Sequence, residues 1–171
     1  MTPHSGEVTL DYLWMLRPKA QLSSVLEITP QWLEARGIKG LLLDLDNTLV
    51  PYKFKGEPPE ELIAWVKSLE AAGIRVFLVS NARRKRLKAW SAKLGVEGIG
   101  LAGKPWFGIR KGLKQLGLPP SQVAMVGDQV FTDVLGGNLA GAYTILVTPI
   151  SQNELDYTRL VRRLERLILK L

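Results

Sequence analysis

With 171 residues, 46% hydrophobic and 23% charged, the chain has the size and composition of one ordinary globular domain with a substantial core. It has no cysteine and a single histidine, His4 near the N-terminus, so disulfides and thiolate chemistry are excluded and a histidine-built metal site or triad has almost nothing to draw on. The formal net charge of +7 points to anionic partners, and any chemistry must use Asp, Glu, Lys, Ser, Thr or backbone groups.

In chain order, the opening "MTPHSGEVTLDYLW" lacks the basic-then-apolar order of a signal peptide. No segment reaches the roughly 18 consecutive apolar residues that span a bilayer, so a cytoplasmic location is the expectation. "ITPQWLEARG" reads as a short helix, with Thr29 as N-cap, Pro30 at the first helical position and Gly37 as the stop. It leads into "IKGLLLDLD", a continuous apolar run ending in two acids, Asp44 and Asp46. Ile74 to Asn81, Val123 to Asp128 and Tyr143 to Val147 have the same character, that of strands covered on both faces, and "VEGIGL" reads as a weaker strand.

Helical patterns lie between these runs. "PEELIAWVKSLEAAG" places Leu62, Trp65, Val66 and Leu69 on one face; "WFGIRKGLKQLG" places Trp106, Ile109, Leu113 and Leu116 on one face, and both stop at glycine. "ARRKRLKAWSAKLG" is a third helix, which Asn81 on its own would cap. The alternation predicts a doubly wound, Rossmann-like α/β fold, a parallel sheet with helices on both faces and a site outside the carboxyl ends of the strands. Asp44, Asp46, Ser80, Asn81 and Asp128 all fall at that edge. No linker divides the chain, so residues 1–150 are expected to form one domain and 151–171 a basic tail.

Adjacent carboxylates repel, and a pair on the rim of a core calls for a cation or a shared proton. With Asp128 and Asp133 they suggest an oxygen-only nest for Mg²⁺, which prefers carboxylates, carbonyls and water. Lys104 in "AGKP", with hydroxyl and amide groups at Thr48, Ser80 and Asn81, supplies the positive and hydrogen-bonding side. Such a set suits the holding of a phosphoryl group during transfer. Taken singly, Asp44 is a turn former, Lys104 a loop lysine and Asp133 an acid at a helix start.

"DLDNT", "VSN", "GKP" and "GDQVFTD" occur in this order over Asp44 to Asp133, and together they resemble the four motifs of the haloacid dehalogenase-like phosphatases. The flanks "ITPQWLEARGIKGLLLDLDNTLV" and "GDQVFTDVLGGNLAGAYTILVTPI" resemble its YqeG-like, IIIA-type branch, whose related members include phosphatidylglycerophosphate phosphatases. The resemblance implies that Asp44 is the nucleophile forming an aspartyl-phosphate and that Asp46 protonates the leaving oxygen and then activates water. It implies Mg²⁺ on the Asp44 carboxylate, the Asp46 carbonyl and Asp128. Ser80 and Lys104 would bind the transferring phosphoryl, with Thr48 and Asn81 completing the substrate-binding set; Asp133 would orient Lys104 or a metal-bound water, and Thr48 would also brace the loop.

The spacings from Asp46 to Ser80 and from Ser80 to Lys104 leave no room for a cap domain. An open site suits a phosphate displayed on something large, such as a lipid head group, and phosphatidylglycerophosphate is the leading expectation. The loop "PYKFKGEP", with Tyr52, Lys53 and Lys55, either touches the substrate or is a solvated turn. In the tail, Leu160, Val161, Leu164, Leu167, Ile168 and Leu171 recur at helical spacing among Arg159, Arg162, Arg163, Arg166 and Lys170. This helix either lies in an anionic lipid interface or packs on the domain. Nucleic acid is a poor partner, since no binding motif accompanies the charge. A non-catalytic, phospho-accepting domain is the rival reading; Asp46 argues against it, because a receiver has no acid two residues beyond its acceptor.

Overall fold

The computed structural model describes residues 12–151, Arg163 and residues 165–167. Six parallel strands form one sheet: β1 (Ala20–Leu22), β2 (Gly40–Leu43), β3 (Arg75–Val79), β4 (Gly98–Ile99), β5 (Val123–Gly127) and β6 (Tyr143–Val147). Their spatial order is β1-β6-β5-β2-β3-β4. The chain runs outward from β2 to β4, then returns to the other side of β2 for β5, so the order reverses at β2 and β5. Ligands of open α/β sheets bind at such a point.

The α-helices that alternate with the strands are α1 (Pro30–Glu34), α2 (Glu60–Ala71), α3 (Arg84–Leu94), α4 (Phe107–Leu116) and α5 (Leu135–Leu139). α1 starts as the sequence predicts: Thr29 Oγ1 accepts from Trp32 N at 3.1 Å, Pro30 opens the helix, and Gly37 takes φ +68. The all-apolar β2 explains the two-sided core. Alternate side chains point to opposite faces, so Leu41 and Leu43 join the layer containing Leu62, Trp65, Leu69, Leu87 and Trp90. Leu42 joins the other, with Phe77, Val79, Ile109, Leu113 and Met125.

The predicted faces of α2 and α4 are buried, with one correction. Trp106 is 59% exposed and stands at the N-cap of α4, which begins only at Phe107. The weak strand is only β4, two residues long, and β1 is an edge strand that the sequence did not announce. No cap interrupts the fold: a loop and α2 separate β2 from β3, and α3 with β4 separates β3 from the segment carrying Lys104. Among the described residues no helix is long and apolar enough to cross a membrane.

Leu42 is fully buried between β3, β5 and α4. Leu42→Ala is expected to lower the free energy of unfolding by about 2–5 kcal/mol, read from the shift in midpoint of a urea titration.

Candidate active site

β2 ends at Leu43, and Asp44 N still donates to Val126 O at 3.0 Å, which keeps Asp44 in line with β5. The chain then turns sharply around Leu45, whose carbonyl accepts from Thr48 N and Leu49 N. Asn47 takes φ +62, a left-handed conformation that Asn tolerates better than most side chains. Its buried Oδ1 accepts from Tyr52 N at 3.2 Å and from Ser151 N at 3.1 Å and Oγ at 2.6 Å. The turn after β2 is thereby fastened to the segment after β6. Thr48 Oγ1 lies 3.2 Å from Asp128 Oδ1 and 3.4 Å from Asp44 Oδ2, so its one hydroxyl proton links the acids of two adjacent strands.

Lys104 Nζ donates to Asp44 Oδ1 at 2.9 Å and to Asp133 Oδ1 at 2.6 Å, with its side chain only 2% exposed. Burial opposes the ammonium charge, but attraction by Asp133 and Asp44 outweighs it and the Lys104 pKa is raised. Burial likewise disfavours the Asp133 carboxylate and pushes its pKa up to about 6, with Lys104 opposing the rise and Asp44 adding to it. Asp133 sits in the π-helical turn Val130–Val134 after β5, and its Oδ2 accepts from Gln129 N at 3.1 Å. It can reach this place because Gly127 has no side chain: a Cβ there would lie 2.1 Å from Asp133 Cγ.

Oxygens of Asp44, Asp128 and Asp133 all lie within 4.8 Å of one another, and all three residues are buried. This oxygen-only set, with no sulfur or imidazole, fits a hard divalent cation such as Mg²⁺. The lysine segment is fixed through its backbone: Lys104 N donates to Asn81 Oδ1 at 3.0 Å, and Ala102 N to Ser80 O at 3.1 Å. Asn81 thus does not cap α3; it braces the lysine loop instead. Ser80 Oγ accepts from Ala82 N at 3.1 Å and lines the cleft.

Asp46 lines the same cleft, of about 420 Å³, but its carboxylate stands apart from the buried triad. Arg86 of α3 donates to it through Nη2 at 2.6 Å and Nε at 3.3 Å, and Lys53 N donates at 3.1 Å. Arg86 also holds Phe54 O at 2.7 Å, so it sets the entrance loop. Tyr52, Lys53 and Arg83 line the cleft, whereas Lys55 does not. Thr48, 2% exposed, serves the carboxylates rather than the cleft wall.

Three residues at or beside the site carry no signal that the sequence reading used. Asn47 could be found as the left-handed residue of a tight turn. Arg86 is hidden in the cationic run Arg83 to Lys88. Glu165, 4% exposed, accepts from Val130 N at 2.8 Å and Phe131 N at 3.2 Å, at the start of the turn that carries Asp133. The tail therefore touches the domain at Glu165, while Arg163, Arg166 and Leu167 are exposed. Leu160, Val161, Leu164, Ile168 and Leu171 lie outside the described residues.

A doubly wound sheet that gathers these acids and one buried lysine at its switch point defines an α/β enzyme built to handle phosphoryl groups. Comparison with known proteins narrows the class. A family model described as haloacid dehalogenase-like hydrolase matches residues 51–141. "Probable phosphatase YqeG" of Bacillus subtilis is 38% identical over 153 residues, covering 89% of this chain and 88% of the relative. The chloroplastic/mitochondrial phosphatidylglycerophosphate phosphatase 1 of Arabidopsis thaliana is 32% identical over 163 residues, covering 90% of this chain and 47% of the relative. A chloroplastic protein of the same name from Chlamydomonas reinhardtii is 36% identical over 129 residues, covering 70% and 48%. The chain spans about half the length of these last two.

Among solved structures, the cobalt-bound deoxy-D-mannose-octulosonate 8-phosphate phosphatase of Haemophilus influenzae shares the fold, with a TM-score of 0.55 at 18% identity over 80% of this chain and 90% of that one. The chain belongs to the haloacid dehalogenase-like hydrolases, and within them it is a phosphatase.

The bare backbone at Gly127 yields a sharp test. Gly127→Ala must displace Asp133 and with it Lys104, and a misplacement of this size should lower turnover about a hundredfold. Phosphate release by the variant, beside a circular dichroism spectrum showing the fold retained, checks this; near-normal turnover would mean that the position of Asp133 is immaterial.

Proposed function

We propose that the chain is a Mg²⁺-dependent phosphomonoesterase that acts through an aspartyl-phosphate on Asp44, and that its substrate is the lipid phosphatidylglycerophosphate. The observation that carries the chemical part is the placement of Asp44 and Asp46 on one cleft, with Lys104 bonded to Asp44. A carboxylate oxygen of Asp44 attacks phosphorus as the bond to the substrate's ester oxygen breaks, and the Asp46 carboxyl gives that oxygen its proton. A water molecule then attacks the acyl-phosphate, Asp46 takes up the proton, and inorganic phosphate leaves while Asp44 is restored.

Lys104 and Ser80 hold the transferring phosphoryl oxygens, and Asn81 keeps Lys104 in place through its backbone. The Asp44 and Asp128 carboxylates and the Asp46 carbonyl would hold Mg²⁺, which would supply neutralisation of phosphoryl charge. Asp133 orients Lys104, at 2.6 Å. Arg86 donates to Asp46 at 2.6 Å, and an anionic substrate entering the cleft would compete with Asp46 for that guanidinium. Arg86 and Lys53 stand where they can meet that substrate.

Two observations support the lipid. Curated relatives 32% and 36% identical to this chain are named phosphatidylglycerophosphate phosphatases. Among the described residues no cap domain is inserted over the cleft, so a phosphate displayed at a surface would have access. The enzyme would work from the cytoplasm, peripherally, at that surface.

Asp44→Asn should abolish hydrolysis, with a loss of at least about a thousandfold, while thermal unfolding stays near that of the parent. Retained turnover would remove Asp44 as the nucleophile. Chelation by EDTA should stop phosphate release and Mg²⁺ restore it; activity unaffected by the chelator would rule out the metal. Phosphate release from phosphatidylglycerophosphate should exceed that from sugar phosphates, nucleotides and phosphopeptides. A clear preference for one of the soluble compounds would sink the lipid assignment while leaving the chemistry standing.

A further inference from the structure

The segment Leu101 to Phe107 has a second side. One side delivers Lys104 inward to the carboxylates; the other shows water three large apolar side chains, Leu101 at 60% exposure, Trp106 at 59% and Phe107 at 79%. Leu101 and Phe107 border a groove of about 670 Å³ between α3 and α4, and the charged residues lining it are all cations: Arg84, Lys88 and Lys111. The two helices extend the pattern: α3 carries Arg84, Lys85 and Lys88 besides Arg86 and Lys93, which pair with Asp46 and Glu57, α4 carries three Lys and Arg, and neither has an acid. α2 contrasts with them: it holds Glu60, Glu61 and Glu70 against Lys67.

We propose that this face is a docking surface for an anionic phospholipid bilayer, with Trp106, Phe107 and Leu101 entering the head-group region and Arg84, Lys88 and Lys111 meeting lipid phosphates. Exposed aromatic side chains ringed by cations have the composition of an interfacial membrane anchor: apolar area leaves water while the charges stay at the phosphate level. A second copy of this chain fits badly, since its matching face would set cations against cations. The surface is also placed for the chemistry. Leu101 N donates to Ala82 O at 2.7 Å, and the neighbouring residues Arg83 and Arg84 line the catalytic cleft and the groove respectively. A bilayer engaged by the groove therefore lies beside the cleft mouth. The purpose of this surface, though not its measurement, rests on the lipid-substrate reading.

The full chain should co-sediment with phosphatidylcholine vesicles containing phosphatidylglycerol as about a third of the lipid and bind pure phosphatidylcholine vesicles far less, the difference shrinking as salt is raised. Trp106→Ser with Phe107→Ser, and separately Lys88→Glu with Lys111→Glu, should each weaken binding to the anionic vesicles at least about tenfold. The Lys88/Lys111 pair should leave hydrolysis of soluble p-nitrophenyl phosphate unchanged, which shows the fold and site intact. Equal binding by parent and both double variants, or equal binding to the two vesicle types, overturns the proposal. Vesicle binding and phosphate release from phosphatidylglycerophosphate are scored apart: binding lost in the variants with no release by the parent keeps the surface and rejects the substrate, and the reverse pattern rejects the surface alone.

Discussion

Lys104 lies between Asp44 and Asp133 with its side chain almost wholly out of water, and three parts of the chain are fixed relative to one another by that contact. Asp44 belongs to the end of β2, Asp133 to the turn after β5, and Lys104 to the loop after β4. A buried charge is tolerated only when its partners are in place, and removing one partner leaves the others unpaired at a cost of several kcal/mol. The sheet makes the contact possible, because the pairing of Leu43 with Val126 carries Asp44 and Asp128 out of adjacent strands side by side. Thr48 then links those two acids, and Gly127 lets Asp133 press against bare backbone. The ion contact, the strand register and the missing side chain are one arrangement.

Much of this was legible in the sequence for definite reasons. A strand covered on both faces must be apolar without alternation, so β2, β3, β5 and β6 are plain as runs, and the residues that end them are plain as the site edge. Asp44, Asp128, Lys104 and Asp133 stand together where those runs end. What remained hidden depends on contacts that no period encodes. β1 is three partly exposed residues, too short to show a pattern. Trp106 obeys the helical spacing of α4 but stands one residue before the helix. Asn81 has the chemistry of a cap, yet it turns to Lys104 because α3 begins later, with Arg83 at its N-cap position. Arg86 is indistinguishable by sequence from its four cationic neighbours.

That last ambiguity is resolved by helix geometry. Residues three or four apart share a face of a helix, so Arg83 and Arg86 turn toward the cleft, while Arg84 and Lys88 turn toward the groove beside Phe107. A run that looks like a single basic patch is two surfaces of opposite use. The inner pair lines the cleft, with Arg86 bonded to Asp46, and can meet an anion that enters it; the outer pair lines the groove with exposed Phe107 and Leu101. One helix can therefore carry both a contact with Asp46 and, in the proposed reading, a contact with the surface that presents the substrate.

The absence of a cap gives this division its importance. Phosphoryl transfer benefits from excluding bulk water around the reacting atoms, and a cap domain would do so with the protein's own chain. Here a loop and one helix are all that separate β2 from β3, so the chain has no lid of its own between those strands. In the proposed reading the substrate's own surface takes that part. A bilayer against Leu101, Trp106 and Phe107 would bring head groups to the cleft mouth, and an arriving phosphate would compete with Asp46 for Arg86. Closure and the engagement of Arg86 would then be the same event, which an enzyme for freely dissolved substrates could not arrange without a lid.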